Sequence, residues 1–124
     1  MAELARLHGT GELAQIEHLA RTESVPANFL AQILGKLRNA GLITSRRGNQ
    51  GGYILARPPE EVSLYDILLA VEGQCLQLSG NVEGRSGPRI KQVWDEISRD
   101  LVVKTRSYTL DQFASKGAAA MYYI

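Results

Sequence analysis

The chain has 124 residues, of which 44% are apolar, and a formal net charge of +1 at pH 7. This length provides one hydrophobic core, and no apolar run approaches the roughly 20 residues of a membrane helix, which excludes a membrane-spanning protein. The single cysteine, Cys75, excludes an internal disulfide and suits a reducing compartment. Since no secretion signal opens the sequence, we expect a cytoplasmic globular protein.

The charges are distributed unevenly along the chain. No Asp or Glu lies between Ser24 and Pro59, although 13 occur in the whole sequence. The same stretch carries five cations: Lys36, Arg38, Arg46, Arg47 and Arg57. A locally basic surface on a nearly neutral protein is typical of a modest nucleic-acid interface. The alternative, a solvated surface whose charge gap arose by chance, stays open on this observation alone.

Three helices are predicted in the first third of the chain. The first spans residues 1–8 and ends at Gly9, and a short second helix spans residues 16–21. The third runs from about residue 26 to residue 40, with a proline in its first turn and Gly41 at its exit. Helical spacing predicts that its apolar face consists of Phe29, Leu30, Ile33, Leu34 and Leu37.

A β-hairpin is predicted to follow the third helix. Residues 42–47 and 53–56 resemble strands and are separated by the glycine-rich turn 48–52, a pattern typical of a hairpin. Pro58 and Pro59 end it, because proline cannot continue a ladder of hydrogen bonds. The tip is so rich in glycine that we expect it to have no packing role.

Three further helices are predicted in the second half of the chain. One begins at Ser63, with Asp66 in the position that a capping box requires. The longest runs from about residue 88 to residue 105, and the last begins at Thr109 in a predicted capping box with Gln112. The longest helix carries an apolar stripe at spacings of three and four: Ile90, Val93, Trp94, Ile97 and Leu101. Such a stripe packs on its own domain or on another helix.

Three helices and then a hairpin is the order of a winged helix-turn-helix, whose third helix enters the major groove of DNA. On that helix, one line of polar side chains lies opposite the apolar face, and amide and lysine side chains there can bond bases or phosphates. Arginines on the wing suit a narrow minor groove. The predicted DNA-binding residues are Asn28, Gln32, Lys36, Arg46, Arg47, Gly48, Asn49 and Gln50. A merely solvated helix face remains the alternative.

Four motifs occur together in this sequence: the run of residues 29–43, Arg47-Gly48, Gly51-Gly52-Tyr53 and Val71-Glu72-Gly73. Together they resemble the Rrf2 family of bacterial repressors, the IscR/NsrR/CymR group, over nearly the whole chain. The resemblance implies a mainly α fold with a small β-hairpin, in which residues 1–73 form the winged helix-turn-helix domain. Residues 74–124 would then provide a loop, a long dimerisation helix and a C-terminal tail. It also implies a homodimer on a palindromic operator, held by the apolar stripe.

The sequence departs from the family in its cysteines. Iron–sulfur members carry three clustered cysteines before the long helix, whereas this chain has only Cys75. We therefore predict no cluster, no other cofactor and no metal, because His8 and His18 match no metal-ligand spacing. A thiol-based redox sensor using Cys75 stays open. An interaction module of the same fold that has lost DNA binding also stays open, because the net charge is small. No grouping of catalytic residues is apparent, so we predict that the protein is not an enzyme.

The chain ends in an apolar, aromatic segment that contains Tyr122, Tyr123 and Ile124. This end is similar to that of the cluster-free, CymR-like members of the family. The resemblance implies a partner enzyme, cysteine synthase (O-acetylserine thiol-lyase), which would capture the tail. The alternative is that the tail folds back and covers part of the dimer.

Overall fold

The structure is a computed structural model that describes residues 1–73 and 83–114. Its elements are α1 (Ala2–Arg6), α2 (Ile16–Thr22), α3 (Ala27–Asn39), β1 (Ile43–Arg46), β2 (Gly52–Leu55), α4 (Leu64–Glu72), α5 (Gly87–Arg106) and α6 (Asp111–Ala114), with a 3-10 turn at Pro59–Glu61. The predicted class, mainly α with a small hairpin, is confirmed. Cys75 and the tail residues Tyr122, Tyr123 and Ile124 lie outside the described residues.

α3 ends just before the predicted glycine, Gly41, whereas α1 ends at Arg6, two residues earlier than predicted. Gly9, three residues after α1, has φ +84°, a conformation that glycine adopts without a steric penalty. At the end of α3, Gly41 has φ +79°, and the amide of Leu42 donates to the Leu37 carbonyl at 3.1 Å. This arrangement is a Schellman motif, and its two leucines are both buried. The motif therefore turns the chain out of α3 and directly into β1.

The hydrophobic core gathers side chains from α1, α2, α3, both strands and the segments that connect the elements. Its buried members are Leu4, Ala5, Ala14, Leu19, Leu34, Leu37, Leu42, Ile43, Leu55, Val62 and Leu110. Of the predicted apolar face of α3, Leu30 and Ile33 are partly buried, but Phe29 is 55% exposed and its assignment to the core is wrong. At about 100° per residue, Phe29 lies roughly a quarter-turn away from the line of buried leucines.

The hairpin is shorter than the sequence predicts. Its strands pair in antiparallel register from Ile43 opposite Leu55 to Arg46 opposite Gly52. Because Gly52 already pairs, the return strand begins one residue earlier than predicted and the turn contains residues 47–51. Ile43 and Leu55 are both buried, so the base of the hairpin is anchored in the core.

The two predicted capping boxes have different outcomes. At α4, the Asp66 amide donates to the Ser63 hydroxyl at 3.1 Å and the Ser63 amide donates to the Asp66 carboxylate at 3.0 Å, which confirms the box. At α6, the Gln112 side chain donates to the Thr109 hydroxyl at 3.3 Å, and that hydroxyl donates to Asp111, so no capping box forms. The reason is that α6 begins at Asp111, so Thr109 lies one residue before the N-cap position.

The chain returns to the first part of the fold after α5. The Leu110 amide donates to the Val62 carbonyl at 2.8 Å, and the Leu64 amide donates to the Tyr108 carbonyl at 2.8 Å. As a result α6 packs on α1, and Leu110 joins the core of residues 1–73. The boundary between residues 73 and 74 stays a prediction. In the ranges that the structure describes, no helix is both long enough and apolar enough to span a membrane.

Candidate nucleic-acid interface

The outer face of α3 presents two amide side chains to solvent. Asn28 and Gln32 are exposed, and within the described residues neither side chain has a hydrogen-bond partner. The face between them is lined by Ala31 and Gly35, and a Cβ built at Gly35 would meet no atom within 4 Å. A flat ligand can therefore approach the backbone of α3 closely, and the two side-chain amides are free to donate and accept hydrogen bonds.

The third predicted residue of this line, Lys36, lies in a different environment. Its ammonium group donates to the backbone carbonyl of Val71 in α4 at 3.2 Å. A step of four residues along a helix advances by about 40°, so Lys36 is displaced roughly 80° around α3 from Asn28. Sequence spacing alone therefore groups Lys36 with Asn28 and Gln32 more closely than the fold does. Its role in DNA binding stays a prediction.

The wing is the second exposed polar surface. Residues 46–50 are all exposed. They form one side of a groove of about 680 Å³, and residues 11–13 and Gln15 form the other side. The Gln15 side chain crosses this groove and donates to the backbone carbonyl of Asn49 at 3.2 Å. The start of α2 and the tip of the wing are therefore joined.

The glycines of the wing have a packing role, contrary to the prediction from the sequence. A Cβ on Gly51 would lie 2.2 Å from the Arg46 carbonyl oxygen. Gly52 has φ +152°, and a Cβ there would lie 2.6 Å from the Ala14 carbonyl oxygen. Both glycines let one backbone segment approach another so closely that no side chain fits. Gly51 thus closes the turn of the wing, and Gly52 holds the wing against Ala14 on the body of the domain.

The side chains of two cations in the acid-free stretch have no partner among the residues that the structure describes. Lys36, Arg38 and Arg57 donate to Val71, to the Ser45 hydroxyl and to the Glu61 carbonyl, respectively. The side chains of Arg46 and Arg47, by contrast, make no hydrogen bond or ion pair with any described residue. The described ion pairs lie elsewhere, in α1–α2 and in α5: Arg6–Glu3, His18–Glu3 and Lys91–Asp95. The wing therefore carries two adjacent positive charges that no described acidic group pairs.

The predicted apolar stripe of α5 is largely open to solvent. Ile90, Val93, Ile97 and Leu101 are 57%, 38%, 43% and 39% exposed, and Trp94 is partly buried. Leu69 of the neighbouring helix α4 is also 42% exposed. Large apolar side chains that cluster on one exposed face are typical of an interaction surface.

The donor set does not fit an iron–sulfur cluster. In the described ranges, no three His, Cys, Asp or Glu side chains are placed to hold a metal ion. Clusters are bound mainly by cysteine thiolates, and the full sequence supplies one cysteine, Cys75. No step that depends on a cluster is therefore derived for this protein.

One contributor to this surface, Gln15, escapes sequence reasoning entirely. It occupies the N-cap of α2 but makes no capping hydrogen bond there, because its side chain reaches Asn49 instead. Glutamine is not a favoured N-cap residue, and this mismatch is the one signal in the sequence. The partner is a backbone group distant in the sequence, so it could not be identified without the fold.

The family model for Rrf2, described as an iron-dependent transcriptional regulator, matches residues 1–116. The chain belongs to the Rrf2 family. This Rrf2 protein is 35% identical to the HTH-type transcriptional regulator CymR of Bacillus subtilis, over all of this chain and 91% of that protein. It is thus a DNA-binding transcriptional regulator with the winged-helix fold, as the sequence predicts.

Solved structures agree with this assignment. The structure of CymR, the global cysteine regulator of B. subtilis, superposes with a TM-score of 0.76 at 30% identity, over 91% of this chain and 85% of that one. The structure of T. potens IscR has a TM-score of 0.74 at 31% identity, over 98% and 87% of the two chains. The Rrf2 protein therefore shares its fold with both CymR and IscR.

Proposed function

We propose that this Rrf2 protein acts as a homodimeric repressor that binds a palindromic operator without an iron–sulfur cluster. The proposal rests on two exposed surfaces that occur together in one domain, the outer face of α3 and the wing. The exposed amides of α3 and the unpartnered arginines of the wing lie on consecutive elements of a winged helix-turn-helix. We place its action in the cytoplasm, on duplex DNA, and assign it no enzymatic activity.

The base contacts are assigned to α3. In this fold the third helix lies in the major groove, with its N-terminal residues on the base edges. Asn28 is the second residue of α3 and Gln32 follows one turn later, so both are within reach. An amide side chain bonds adenine bidentately through the N6 and N7 atoms of the base. We assign Gln32 and Asn28 to adenine readout.

The wing is assigned to the backbone and the minor groove. Arg46 and Arg47 carry charges that no acidic group of the described protein neutralises, so phosphates are their natural partners. The exposed tip at Gly48, Asn49 and Gln50 gives the DNA backbone close access. An arginine in a narrow, A·T-rich minor groove also senses sequence through its electrostatic potential. We expect the operator to be A·T-rich where the wing contacts it.

The stripe of α5 is assigned to the dimer interface. Pairing two copies through Ile90, Val93, Ile97 and Leu101 removes four large apolar side chains from water, which favours association. A two-fold contact of this kind presents two identical recognition helices. Such a pair reads an inverted repeat whose half-sites are spaced by about one turn of DNA.

The signal is assigned to cysteine metabolism. The relative CymR is titled the global cysteine regulator of its organism. We propose that cysteine synthase is a partner that captures the tail residues Tyr122, Tyr123 and Ile124. Oxidation of the Cys75 thiol is the alternative signal, and it requires an exposed thiolate.

Selection of binding sites from a random duplex library tests this proposed function. We expect enrichment of an inverted repeat with A·T-rich segments beside each half-site. Enriched sequences without two-fold symmetry would contradict the homodimer. A library without any enrichment would favour the interaction module that has lost DNA binding.

A further inference from the structure

Lys36 lies on the flank of α3 that faces α4. The neighbouring residue in that direction is Ile33, which is partly buried against the core. The two helices pack on each other. The side chain of Lys36 extends across their junction, and its ammonium group stops 3.2 Å from the Val71 carbonyl oxygen. The cation therefore contacts the protein itself rather than pointing along the exposed amides.

The Val71 carbonyl is a favourable partner for a cation. Val71 lies in the last turn of α4, which ends at Glu72, and the final carbonyls of a helix lack partners within it. The carboxyl end of a helix also carries a partial negative charge, which cations stabilise. Because α4 has no basic residue in its own last turn, Lys36 supplies that cation from the recognition helix.

The hydrogen bond from Lys36 to Val71 differs in kind from the other contacts between α3 and α4. In the part of the chain that the structure describes, no other hydrogen bond joins α3 to α4. Both helices also carry apolar residues that are partly buried against the core, among them Ile33, Ile67 and Ala70. Apolar packing has no directional preference, whereas a hydrogen bond requires a defined distance and angle. The lysine therefore fixes the alignment of the two helices more narrowly than packing alone.

We propose that Lys36 is a positioning residue for DNA recognition. Its ammonium group holds α3 on the carboxyl end of α4 and so sets the direction of Asn28 and Gln32 relative to the α4–α5 unit. Because α5 carries the proposed dimer interface, the same contact sets the relative orientation of the two recognition helices. This inference rests on the proposed function. It assigns Lys36 a contact inside the protein in place of the direct contact with DNA that the sequence predicts.

Two variants separate positioning from direct contact. Lys36→Met keeps an unbranched apolar side chain, one atom shorter, and removes the donors, whereas Lys36→Arg keeps the charge and the donors. Affinity is measured on a random duplex and on a duplex taken from the selection, at several salt concentrations. A lost phosphate contact lowers the slope of log affinity against log salt by about 0.9. Lys91→Met, on α5, is the matched control for loss of a lysine charge.

On random duplex, we expect Lys36→Met to have the same slope of log affinity against log salt as the parent protein. Its preference for the selected duplex falls roughly fivefold, the loss of one ordinary hydrogen bond, and Lys36→Arg restores most of it. A Lys36→Met slope lowered by about one phosphate contact overturns the inference, since Lys36 then binds DNA directly. Unchanged preference in Lys36→Met overturns it as well.

Hydrogen exchange provides a readout that does not depend on DNA. The amide of Gly73 donates to the Leu69 carbonyl at 3.0 Å, at the end of α4 that Lys36 contacts. We expect this amide to exchange faster in Lys36→Met than in the parent or in Lys36→Arg. Equal exchange in all three proteins contradicts the contact. A parent protein that binds no duplex DNA overturns the proposed function, and hydrogen exchange alone then decides whether Lys36 holds α3 on α4.

Discussion

Ala14 and Tyr53 exchange two backbone hydrogen bonds, one of 2.9 Å from the Ala14 amide and one of 2.8 Å from the Tyr53 amide. They form a β-bridge outside the named strands. Ala14, two residues before α2, is thereby joined to the return strand of the wing. This link explains why Gly52, next to Tyr53, lies so close to the Ala14 backbone.

Replacing Gly52 by alanine is expected to destabilise the protein. The new Cβ would lie 2.6 Å from the Ala14 oxygen, at a backbone φ of +152°, so the bridge must shift. We expect a loss of about 1–3 kcal/mol in the free energy of unfolding, measured by urea denaturation. Gly35→Ala is the control, because no atom lies within 4 Å of its Cβ and alanine favours a helix. A urea midpoint of Gly52→Ala equal to that of the parent would contradict the close approach of the Gly52 and Ala14 backbones.

Replacing Gln32 by alanine is expected to weaken specific binding only. A lost bidentate contact with adenine costs about 1–3 kcal/mol on the selected duplex. Affinity for random duplex stays unchanged, since no phosphate contact is removed. Gln92→Ala, on the side of α5 away from the apolar stripe, is the matched control. If Gln32→Ala discriminates between the two duplexes as well as the parent does, α3 does not read bases through this residue.

Replacing Arg47 by alanine is expected to weaken binding to every duplex. Loss of one phosphate contact lowers the salt slope by about 0.9, and loss of a minor-groove contact reduces the preference for A·T-rich flanks. Fluorescence anisotropy at several salt concentrations measures both effects. Arg99→Ala, which removes an exposed arginine of α5, controls for the change in net charge. An Arg47→Ala protein with the slope and flank preference of the parent argues against a wing in the minor groove.

Replacing Ile97 by aspartate is expected to separate the subunits without unfolding them. The side chain is 43% exposed in the single chain, so the charge is tolerated there. It is costly only where a second copy covers it. Sedimentation velocity of the parent should give a dimer at micromolar concentration, and the variant a monomer with an unchanged circular dichroism spectrum. A parent that sediments as a monomer would remove the two-fold model.

The purified protein is expected to be colourless. One cysteine in the full sequence supplies too few thiolates for an iron–sulfur cluster, so an anaerobic preparation should show no visible absorption. Cys75→Ser should bind the selected duplex as the parent does if the thiol has no sensing role. Stoichiometric iron and acid-labile sulfide in the preparation would overturn the cluster-free proposal.

Local sequence patterns predicted most of the fold. The Ser63–Asp66 capping box and the exit of α3 at Gly41 follow from short-range chemistry, and both are present in the structure. The failures depend on contacts between distant segments. Thr109 does not cap α6 because the helix begins only at Asp111, after Leu110 has bonded to the distant Val62 carbonyl.

In the candidate site, too, the features that follow from local sequence were predicted and the contacts between distant segments were not. The exposure of Asn28 and Gln32 follows from helical periodicity, which the sequence displays. The hydrogen bonds from Lys36 to Val71 and from Gln15 to Asn49 each end on a backbone carbonyl. Every residue has such a carbonyl, so no side-chain pattern could identify these partners.

The central claim is that this winged helix binds DNA through its recognition helix and wing. Titration of the parent protein against the selected duplex, at salt concentrations from about 50 to 200 mM, tests it most directly. We expect the logarithm of the affinity to fall linearly with the logarithm of salt concentration, and the selected duplex to bind more tightly than random duplex at every salt concentration. Equal affinity for the two duplexes, or no binding at the lowest salt concentration, would contradict it.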